Sequence, residues 1–262
     1  SKMNILEKII AHKQKEIEAQ LKIISLDRLK ESQRLFAVRD FKDAILGEKI
    51  QIIAEIKRQS PSEEDIFLNA VPEDVAKSYQ VNGGAALSVI TDSHFFGGHL
   101  DFIHQVKTAV DLPVLRKDFI ISEYQVWESF YKGADAILLI ADAIDFKLLS
   151  TLYNLASELG MHVLIETHSS EHLDNIASLE PEIIGINCRN LQTMETNLQW
   201  FETALSEIPA DCVKVAESGI KTIDNLNYIS QLGYDAALVG TSLMKTKVPG
   251  TALAELLNRV PA

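Results

Sequence analysis

Cysteine is scarce in this chain, and long hydrophobic runs are missing from it. The two cysteines, Cys188 and Cys212, form no CxxC pair and no disulfide framework, which favours a reducing compartment. The first residues lack the long apolar core of a signal peptide, and no apolar stretch approaches the roughly 20 residues that span a bilayer. We therefore expect a cytoplasmic location and no membrane partner.

Positive charge is also in short supply. The chain has 25 Lys and Arg residues against 37 Asp and Glu residues, which gives a formal net charge of -12. This balance disfavours nonspecific binding to nucleic acid, so no nucleic-acid partner is expected. A small anionic substrate can still bind wherever the local site is positive.

Two common sequence motifs are absent as well. No GxGxxG turn follows an early predicted strand, which disfavours an open dinucleotide-binding sheet. The seven histidines form no HExxH or similar ligand pattern, so no metal site is predicted. His168 lies two residues after Glu166 and could touch the site, yet the favoured interpretation is a histidine on a surface loop.

What the chain does contain is a regular alternation of short β-branched runs and amphipathic segments. The predicted strands are 51–57, 86–91, 114–117, 136–140, 162–166, 183–187, 213–217 and 237–239. The helical patterns between and after them are 72–82, 99–109, 122–132, 145–159, 170–179, 197–206, 222–232 and 251–259. Eight strands each followed by a helix predict an α/β fold, a (β/α)8 TIM barrel. We expect a single domain over 1–262, in which residues 1–48 form an N-terminal helical extension.

Charged and polar residues recur at the carboxyl-terminal ends of the predicted strands. In the first strand, alternation places Ile52, Ala54 and Ile56 on an apolar outer face. Glu55 and Lys57 then share the face that points into the barrel, where an unpaired charge is costly. Similar positions in later strands hold Lys117, Glu166, Asn187 and Glu217, with Arg189 and Ser218 just beyond.

Barrel enzymes keep their chemistry at this end of the barrel. Any one of these residues taken alone is equally well explained as a solvated strand end or as part of a buried ion-pair network. The whole set, with carboxylates and amines but no metal motif, suits proton transfer by general acids and bases.

Two glycine turns predict where a phosphate would bind. Ser218-Gly219 follows the seventh strand, and Gly240-Thr241 follows the eighth. The loops at these positions of a barrel commonly hold a phosphate, and glycine lets backbone N–H groups approach the anion. The alternative is a pair of ordinary turns. Together with the charged strand ends, the two glycine turns predict an enzyme that acts on a small phosphorylated molecule.

Several segments resemble the indole-3-glycerol-phosphate synthase family in order and spacing. They are IAEIKRQSPS at 53–62, ALSVITD at 86–92, FFGG at 95–98, LRKDFI at 115–120, GINCRNL at 185–191 and AESGI at 216–220. The resemblance covers nearly the whole chain. It implies a carboxy-lyase of tryptophan biosynthesis, which closes the ring of 1-(2-carboxyphenylamino)-1-deoxyribulose 5-phosphate with loss of carbon dioxide and water.

The same resemblance implies roles for individual residues and no cofactor or metal. Lys117 is expected to be the acid at the sugar carbonyl, Glu166 to serve the condensation, and the Glu55–Lys57 pair to serve dehydration. A lysine acid fits if its surroundings bring its pKa nearer the working pH. Asn187 and Glu217 are expected to orient the substrate, and Arg189 to support its carboxylate side. The expected phosphate ligands are Ser60, Gly219, Gly240 and Thr241, with Ser218 beside them.

One segment departs from the family pattern, because Glu63-Glu64-Asp65 stands where many members have a Lys-Gly pair. A solvated loop and a lid with altered mobility both remain open there, as do ring-covering and packing roles for Phe67.

Two other functions are also considered. Another phosphosugar barrel enzyme, such as phosphoribosylanthranilate isomerase, would not need this many proton-transfer groups. A barrel that only binds phosphorylated ligands would predict loss of the charged strand ends. The sequence leaves open whether the chain associates with other tryptophan-pathway enzymes.

Overall fold

The computed structural model describes residues 2–262, so residue 1 of the expected extension lies outside the described residues. Within this range, eight parallel strands form a closed barrel in chain order, and β8 pairs back onto β1. The strands are β1 (Gln51–Ile56), β2 (Ala86–Ile90), β3 (Val114–Lys117), β4 (Ala136–Ile140), β5 (His162–Thr167), β6 (Ile183–Asn187), β7 (Val213–Glu217) and β8 (Ala236–Val239). The predicted (β/α)8 TIM barrel is confirmed.

Helices surround the barrel and precede it. They are α1 (Ile5–Ile23), α2 (Leu26–Lys30), α3 (Phe41–Ala44), α4 (Pro72–Val81), α5 (Asp101–Ala109), α6 (Glu123–Lys132), α7 (Phe146–Glu158), α8 (Leu173–Ser178), α9 (Gln199–Leu205), α10 (Ile223–Leu232), α11 (Thr241–Met244) and α12 (Pro249–Leu256). The predicted helix 170–179 instead begins as a 3-10 turn, Ser170–His172, and continues as α8. Across residues 2–262, no helix is both long and apolar enough to cross a membrane.

Local sequence explains where several of these helices begin and end. Asp145 and Thr222 accept backbone N–H groups at the starts of α7 and α10, where those donors otherwise have no partner. Pro72 opens α4 at a position where its missing N–H costs nothing. Gly133 and Gly233 end α6 and α10 with φ near +105°, a conformation that only glycine adopts readily.

Alternate residues of each strand face two different apolar clusters. Ile52, Ala54 and Ile56 of β1 pack outward into the layer between strands and helices. Ile53 points inward instead and joins the smaller cluster that fills the barrel. The faces predicted for β1 are therefore correct, and the inward register places Glu55 inside the barrel near its carboxyl-terminal end.

The N-terminal helices cover both ends of the barrel. At the amino-terminal end, Phe41 and Ile45 are fully buried in the interior cluster. At the carboxyl-terminal end, α1 crosses the barrel mouth. Its Lys13 is buried and forms ion pairs with Asp92 at 2.6 Å and Asp118 at 3.0 Å. These contacts attach the extension to both the amino-terminal and the carboxyl-terminal end of the barrel.

A second buried ion pair lies at the amino-terminal end of the barrel, where the extension meets the strands. The Lys107 ammonium lies 2.6 Å from the Asp135 carboxylate, and both side chains are fully buried. Asp135 also accepts backbone N–H groups from Arg39 and Val114 at 2.7 and 2.8 Å. One carboxylate therefore organises the start of β3, a helix and the incoming N-terminal chain.

We expect Asp135→Ala to lower the free energy of unfolding by about 3–5 kcal/mol, because it leaves the Lys107 ammonium buried without a partner. Urea unfolding followed by circular dichroism measures this change. The control is Asp211→Ala, at an exposed aspartate, which should change the free energy by less than about 0.5 kcal/mol. Equal stability of the two variants would contradict the assigned role of Asp135.

Candidate active site

A pocket opens at the carboxyl-terminal ends of the strands, beneath α1. Its wall brings together most of the predicted site residues, namely Lys57, Ser60, Lys117, Glu166, Asn187, Arg189, Ser218 and Thr241. Glu55 and Glu217 are buried behind this wall, and Gly219 and Gly240 belong to the turns that support it. Residues scattered from β1 to α11 therefore meet at one cavity.

The apolar part of the pocket wall includes residues that sequence reasoning did not select. Ile5, Leu6 and Ile9 of α1 face the cavity. Phe96 and Phe119 also line it, with their ring centroids 5.9 Å apart. Aromatic faces and aliphatic side chains suit a planar, mostly apolar group. One side of the pocket is therefore apolar, and the other is charged.

Glu55 lies at the centre of the charged side. Its Oε1 is 3.2 Å from the Lys57 ammonium, and its Oε2 is 2.8 Å from the Lys117 ammonium. The Ser88 hydroxyl, on the paired residue of β2, donates to Oε2 at 2.8 Å. Burial acts to raise the pKa of Glu55, but the two lysines outweigh it and the pKa is lowered. Glu55 is therefore a carboxylate held between two cations.

The two lysines respond in opposite ways to the same carboxylate. Burial lowers the pKa of Lys57, and the charge of Glu55 only partly opposes this effect. Burial also acts to lower the pKa of Lys117, but Glu55 and more distant carboxyl groups raise it above the ordinary value. The condition named for a lysine acid, a pKa nearer the working pH, is therefore not met by Lys117, which makes the closer contact with Glu55.

His168 is not on the surface, contrary to the sequence-based expectation. Its side chain is only 9% exposed, and its Nε2 lies 2.7 Å from Oε2 of Glu166. Its Nδ1 lies 2.9 Å from the Arg189 carbonyl oxygen. An available signal was the period of two in an extended strand, since residues 166 and 168 face the same side when the strand continues. The strand β5 does extend past Glu166 to Thr167.

Glu217 reaches into the barrel across a glycine of the neighbouring strand. A Cβ atom on Gly185 would collide with Glu217 Oε2, so glycine at this position leaves room for the carboxyl where it lies. Burial and the nearby charge of Glu166 raise the pKa of Glu217 well above its ordinary value. Within residues 2–262, neither of its buried oxygens has a hydrogen-bond partner, as expected for a group that awaits a ligand or shares a proton with Glu166.

Asn187 is oriented by its neighbours. Its Oδ1 accepts the Ser218 hydroxyl at 2.8 Å and the Arg189 backbone N–H at 3.0 Å. Both contacts use the side-chain oxygen, so the amide N–H groups are left to donate elsewhere. Ser218 itself has φ of +72°, a strained conformation for a residue with a side chain.

The two glycine turns have steric causes that were not predicted. A Cβ on Gly240 would lie 2.8 Å from Glu55 Oε1 and 2.9 Å from Glu55 Cβ. A Cβ on Gly219 would crowd Leu198 and Cys188, and its φ is +72°. Beside Gly240, the Thr241 hydroxyl accepts from the Lys57 ammonium at 3.1 Å, which links the eighth-strand turn to the charged cluster.

The acidic loop after β1 is held by two lysines. Glu63 pairs with Lys245 at 2.9 Å, and Asp65 pairs with Lys247 at 3.2 Å. Phe67 packs against the outer core with the Lys247 ammonium 5.5 Å from its ring centre. Of the two roles considered for Phe67, covering the substrate ring and packing, the structure shows packing. Both ion pairs are largely exposed, so each contributes little to stability.

The described residues offer no cluster of side chains suited to a metal ion. Among the described residues, His, Cys, Asp and Glu side chains form no group of three or more that could hold a metal ion. The two cysteines are buried, and burial raises the pKa of Cys188 to about 11. Cys188 is thus a packed residue of the wall behind the Gly219 turn.

Comparison with known proteins gives a consistent family. The model of the family described as indole-3-glycerol phosphate synthase matches residues 6–256. The protein of that name from Albidiferax ferrireducens is 42% identical over 258 residues, covering 97% of this chain and 98% of its own. The one from Burkholderia vietnamiensis is 39% identical over 257 residues, with coverage of 97% and 98%.

A solved structure shares the fold at much lower identity. The 3-hexulose-6-phosphate synthase from Salmonella typhimurium aligns with a TM-score of 0.62 and 14% sequence identity, covering 80% of this chain and 99% of its own. Identity this low supports a common barrel architecture and nothing about chemistry.

We expect Glu55→Gln to lower the pKa of Lys117, because it removes the nearest opposing charge while burial remains. The measurement is a pH titration of the lysine 13Cε signals by NMR, with the Lys117 signal identified from its absence in Lys117→Ala. The wild-type signal should show no inflection below 10.5, the ordinary value. Glu63→Gln, which affects an exposed pair, is the control. An unchanged Lys117 titration in Glu55→Gln would contradict the geometry.

Proposed function

The chain belongs to the indole-3-glycerol phosphate synthase family, and on this premise we propose that it is a decarboxylating synthase of tryptophan biosynthesis. It converts 1-(2-carboxyphenylamino)-1-deoxyribulose 5-phosphate into indole-3-glycerol phosphate. An aromatic carbon attacks the sugar carbonyl, carbon dioxide leaves, and a hydroxyl departs as water. The observation that carries this proposal is the cluster of Glu55, Lys57 and Lys117 beside Glu166 at one pocket.

Lys117 is the group proposed to act on the sugar carbonyl. It faces the pocket as an ammonium, and nearby carboxylates favour that charged form. A fixed cation aimed at a carbonyl oxygen stabilises the negative charge that develops there as the aromatic carbon attacks. Lys117 therefore acts mainly as a charged hydrogen-bond donor, and transfers its proton as the oxygen becomes strongly basic.

The remaining proton transfers are proposed for the groups on either side of Lys117. Glu166 holds its charge at neutral pH, because His168 and Lys117 lower its pKa against the effect of burial. It is suited to accept the anilino N–H proton as the nitrogen's electrons support attack by the aromatic carbon, and the proton returns to nitrogen when carbon dioxide leaves. Lys57 loses a proton more readily than Lys117, so with Glu55 as its partner it is suited to protonate the departing hydroxyl.

The polar rim of the pocket is proposed to bind the substrate. Asn187 and Glu217 orient its hydroxyl and amine groups, and Arg189 supports the carboxylate side. The phosphate is proposed to bind Ser60, Thr241 and Ser218 together with the backbone turns at Gly219 and Gly240. Support comes from the placement of these hydroxyls at one pocket with Lys57, although the whole protein carries a net charge of -12.

The proposed working unit is one barrel domain over 1–262, with 1–48 as its helical extension, acting in the cytoplasm on a small phosphorylated substrate. The extension takes part because α1 residues line the pocket. We propose no cofactor or metal for any step, since each step described above uses only acid, base and charge.

The direct test mixes the purified protein with the anilino-deoxyribulose phosphate and follows indole fluorescence. We expect turnover without added metal and undiminished turnover in EDTA. Lys117→Ala should lower kcat/KM by roughly 10²–10⁴-fold, the usual contribution of a proton-transferring group. Lys147→Ala, at an exposed lysine of α7, is the matched control and should keep the wild-type rate.

Two outcomes of this test are decisive. Absence of turnover in the wild-type protein would refute the proposed function. Near-wild-type rates in Lys117→Ala would refute only the role of Lys117, provided that circular dichroism shows the variant to be folded.

A further inference from the structure

We propose that His168 is a positioning residue that holds Glu166 in place by sharing one proton with it. The inference rests on the proposed function only for the role of Glu166. His168 lines the same pocket and is nearly buried. The proposal is carried by the contacts of its two ring nitrogens.

The Arg189 carbonyl sets the tautomer of His168. Its oxygen lies 2.9 Å from Nδ1, and a carbonyl oxygen can only accept a hydrogen bond. The Nδ1 atom therefore carries a hydrogen in every state that keeps this contact. A neutral His168 then presents an unprotonated Nε2 to Glu166.

The second ring contact requires an additional proton. Nε2 lies 2.7 Å from Oε2 of Glu166, which is a hydrogen bond only if one proton lies between the two atoms. That proton belongs either to an imidazolium beside a carboxylate or to a carboxylic acid beside an imidazole. Without it, two lone pairs would face each other, so the pair acts as a one-proton unit.

The backbone around His168 makes this geometry firm. The His168 N–H donates to Asp142 Oδ2 at 2.9 Å, and the Ser169 hydroxyl donates to Asp142 Oδ1 at 3.3 Å. The Thr167 hydroxyl donates to the Ser169 carbonyl at 2.9 Å. These contacts fix the turn after β5, so the imidazole position does not depend on the loop after β1.

Charged groups from each neighbouring strand decide where the proton resides. Burial acts to lower the pKa of His168, but Glu166 and then Asp142, after β4, raise it above the ordinary value. Arg189 faces the ring through its carbonyl. Lys117 of β3 helps to lower the pKa of Glu166 and so stabilises its carboxylate, while burial and the charge of Glu166 raise the pKa of Glu217 of β7. The favoured state is therefore an imidazolium beside the Glu166 carboxylate.

This arrangement fixes the Glu166 carboxylate in the pocket wall. Its Oε2 is bound by His168, and the carboxyl group of Glu217 is within hydrogen-bond reach of Glu166. A base works best when its reacting atom is fixed within hydrogen-bond reach of the proton. As pH rises through the raised pKa of His168, the shared proton is lost and Glu166 loses this support, so we expect an alkaline limb in kcat.

The first experiment is NMR on the whole protein with 15N-labelled histidine. His168→Gln identifies the His168 signals by their absence. We expect a protonated Nδ1 throughout the titration, a His168 pKa above 6.5, and a lower pKa in Glu166→Gln. A neutral His168 with its hydrogen on Nε2 would overturn the proposal. So would a His168 pKa that is unchanged in Glu166→Gln. This result does not depend on turnover, so it remains decisive if the proposed function fails.

The second experiment compares kinetics across pH in His168→Gln and His172→Gln. Glutamine can still donate to Glu166 but cannot titrate, so the alkaline limb assigned to His168 should disappear. We expect kcat to fall at least about tenfold with little change in KM, less than the roughly 10²–10⁴-fold effect of a group that transfers the proton itself. His172 pairs with Asp142 on the same turn, and its variant should retain wild-type kinetics. Retention of wild-type kcat and of the alkaline limb in His168→Gln would refute the role.

Discussion

The buried carboxylate of Glu55, held between the ammonium groups of Lys57 and Lys117, is the interaction on which the rest of the site depends. This charge is the nearest one to both cations, and removing one partner of a buried ion pair costs several kcal/mol. The same contact separates the lysines chemically. Lys117, at 2.8 Å, is held charged, whereas Lys57, at 3.2 Å, loses its proton more readily. Two residues of the same type thereby acquire pKa shifts in opposite directions, which fits the roles proposed for them as a stabilising cation and a proton donor.

Glycine is what allows such large carboxyl groups to enter the barrel. Gly240 leaves space for Glu55, and Gly185 leaves space for Glu217, because a Cβ at either position would collide with the carboxylate. The barrel interior elsewhere is filled by aliphatic side chains. Fold and chemistry are therefore coupled through glycine positions whose missing side chains leave room for these carboxyl groups. The N-terminal extension adds the second coupling, since the Lys13 ion pairs fasten α1 over the pocket that its apolar residues line.

The barrel could be predicted from the sequence because periodicity is a local property, and each strand run is followed by an amphipathic run. The charged strand ends were also predictable, since the carboxyl-terminal ends of barrel strands converge. His168 was misplaced because the predicted strand stopped at Glu166, one residue too early, so the shared face was overlooked. The direction of the Lys117 pKa shift, the steric role of Gly185 and the Lys13 contacts all depend on distances between distant segments. No local pattern contains those distances.

We propose that Lys57, Lys117 and the two glycine turns bind a single ligand. The decisive measurement is a crystal structure of the protein with indole-3-glycerol phosphate. The proposed function predicts the phosphate within about 3 Å of the Ser60 or Thr241 hydroxyl and of the adjacent turn N–H groups. It also predicts the indole ring against Phe96 and Phe119, with the Lys117 ammonium facing the ring junction. A phosphate bound away from both turns, or a ring that leaves Lys117 in contact only with solvent, would contradict it.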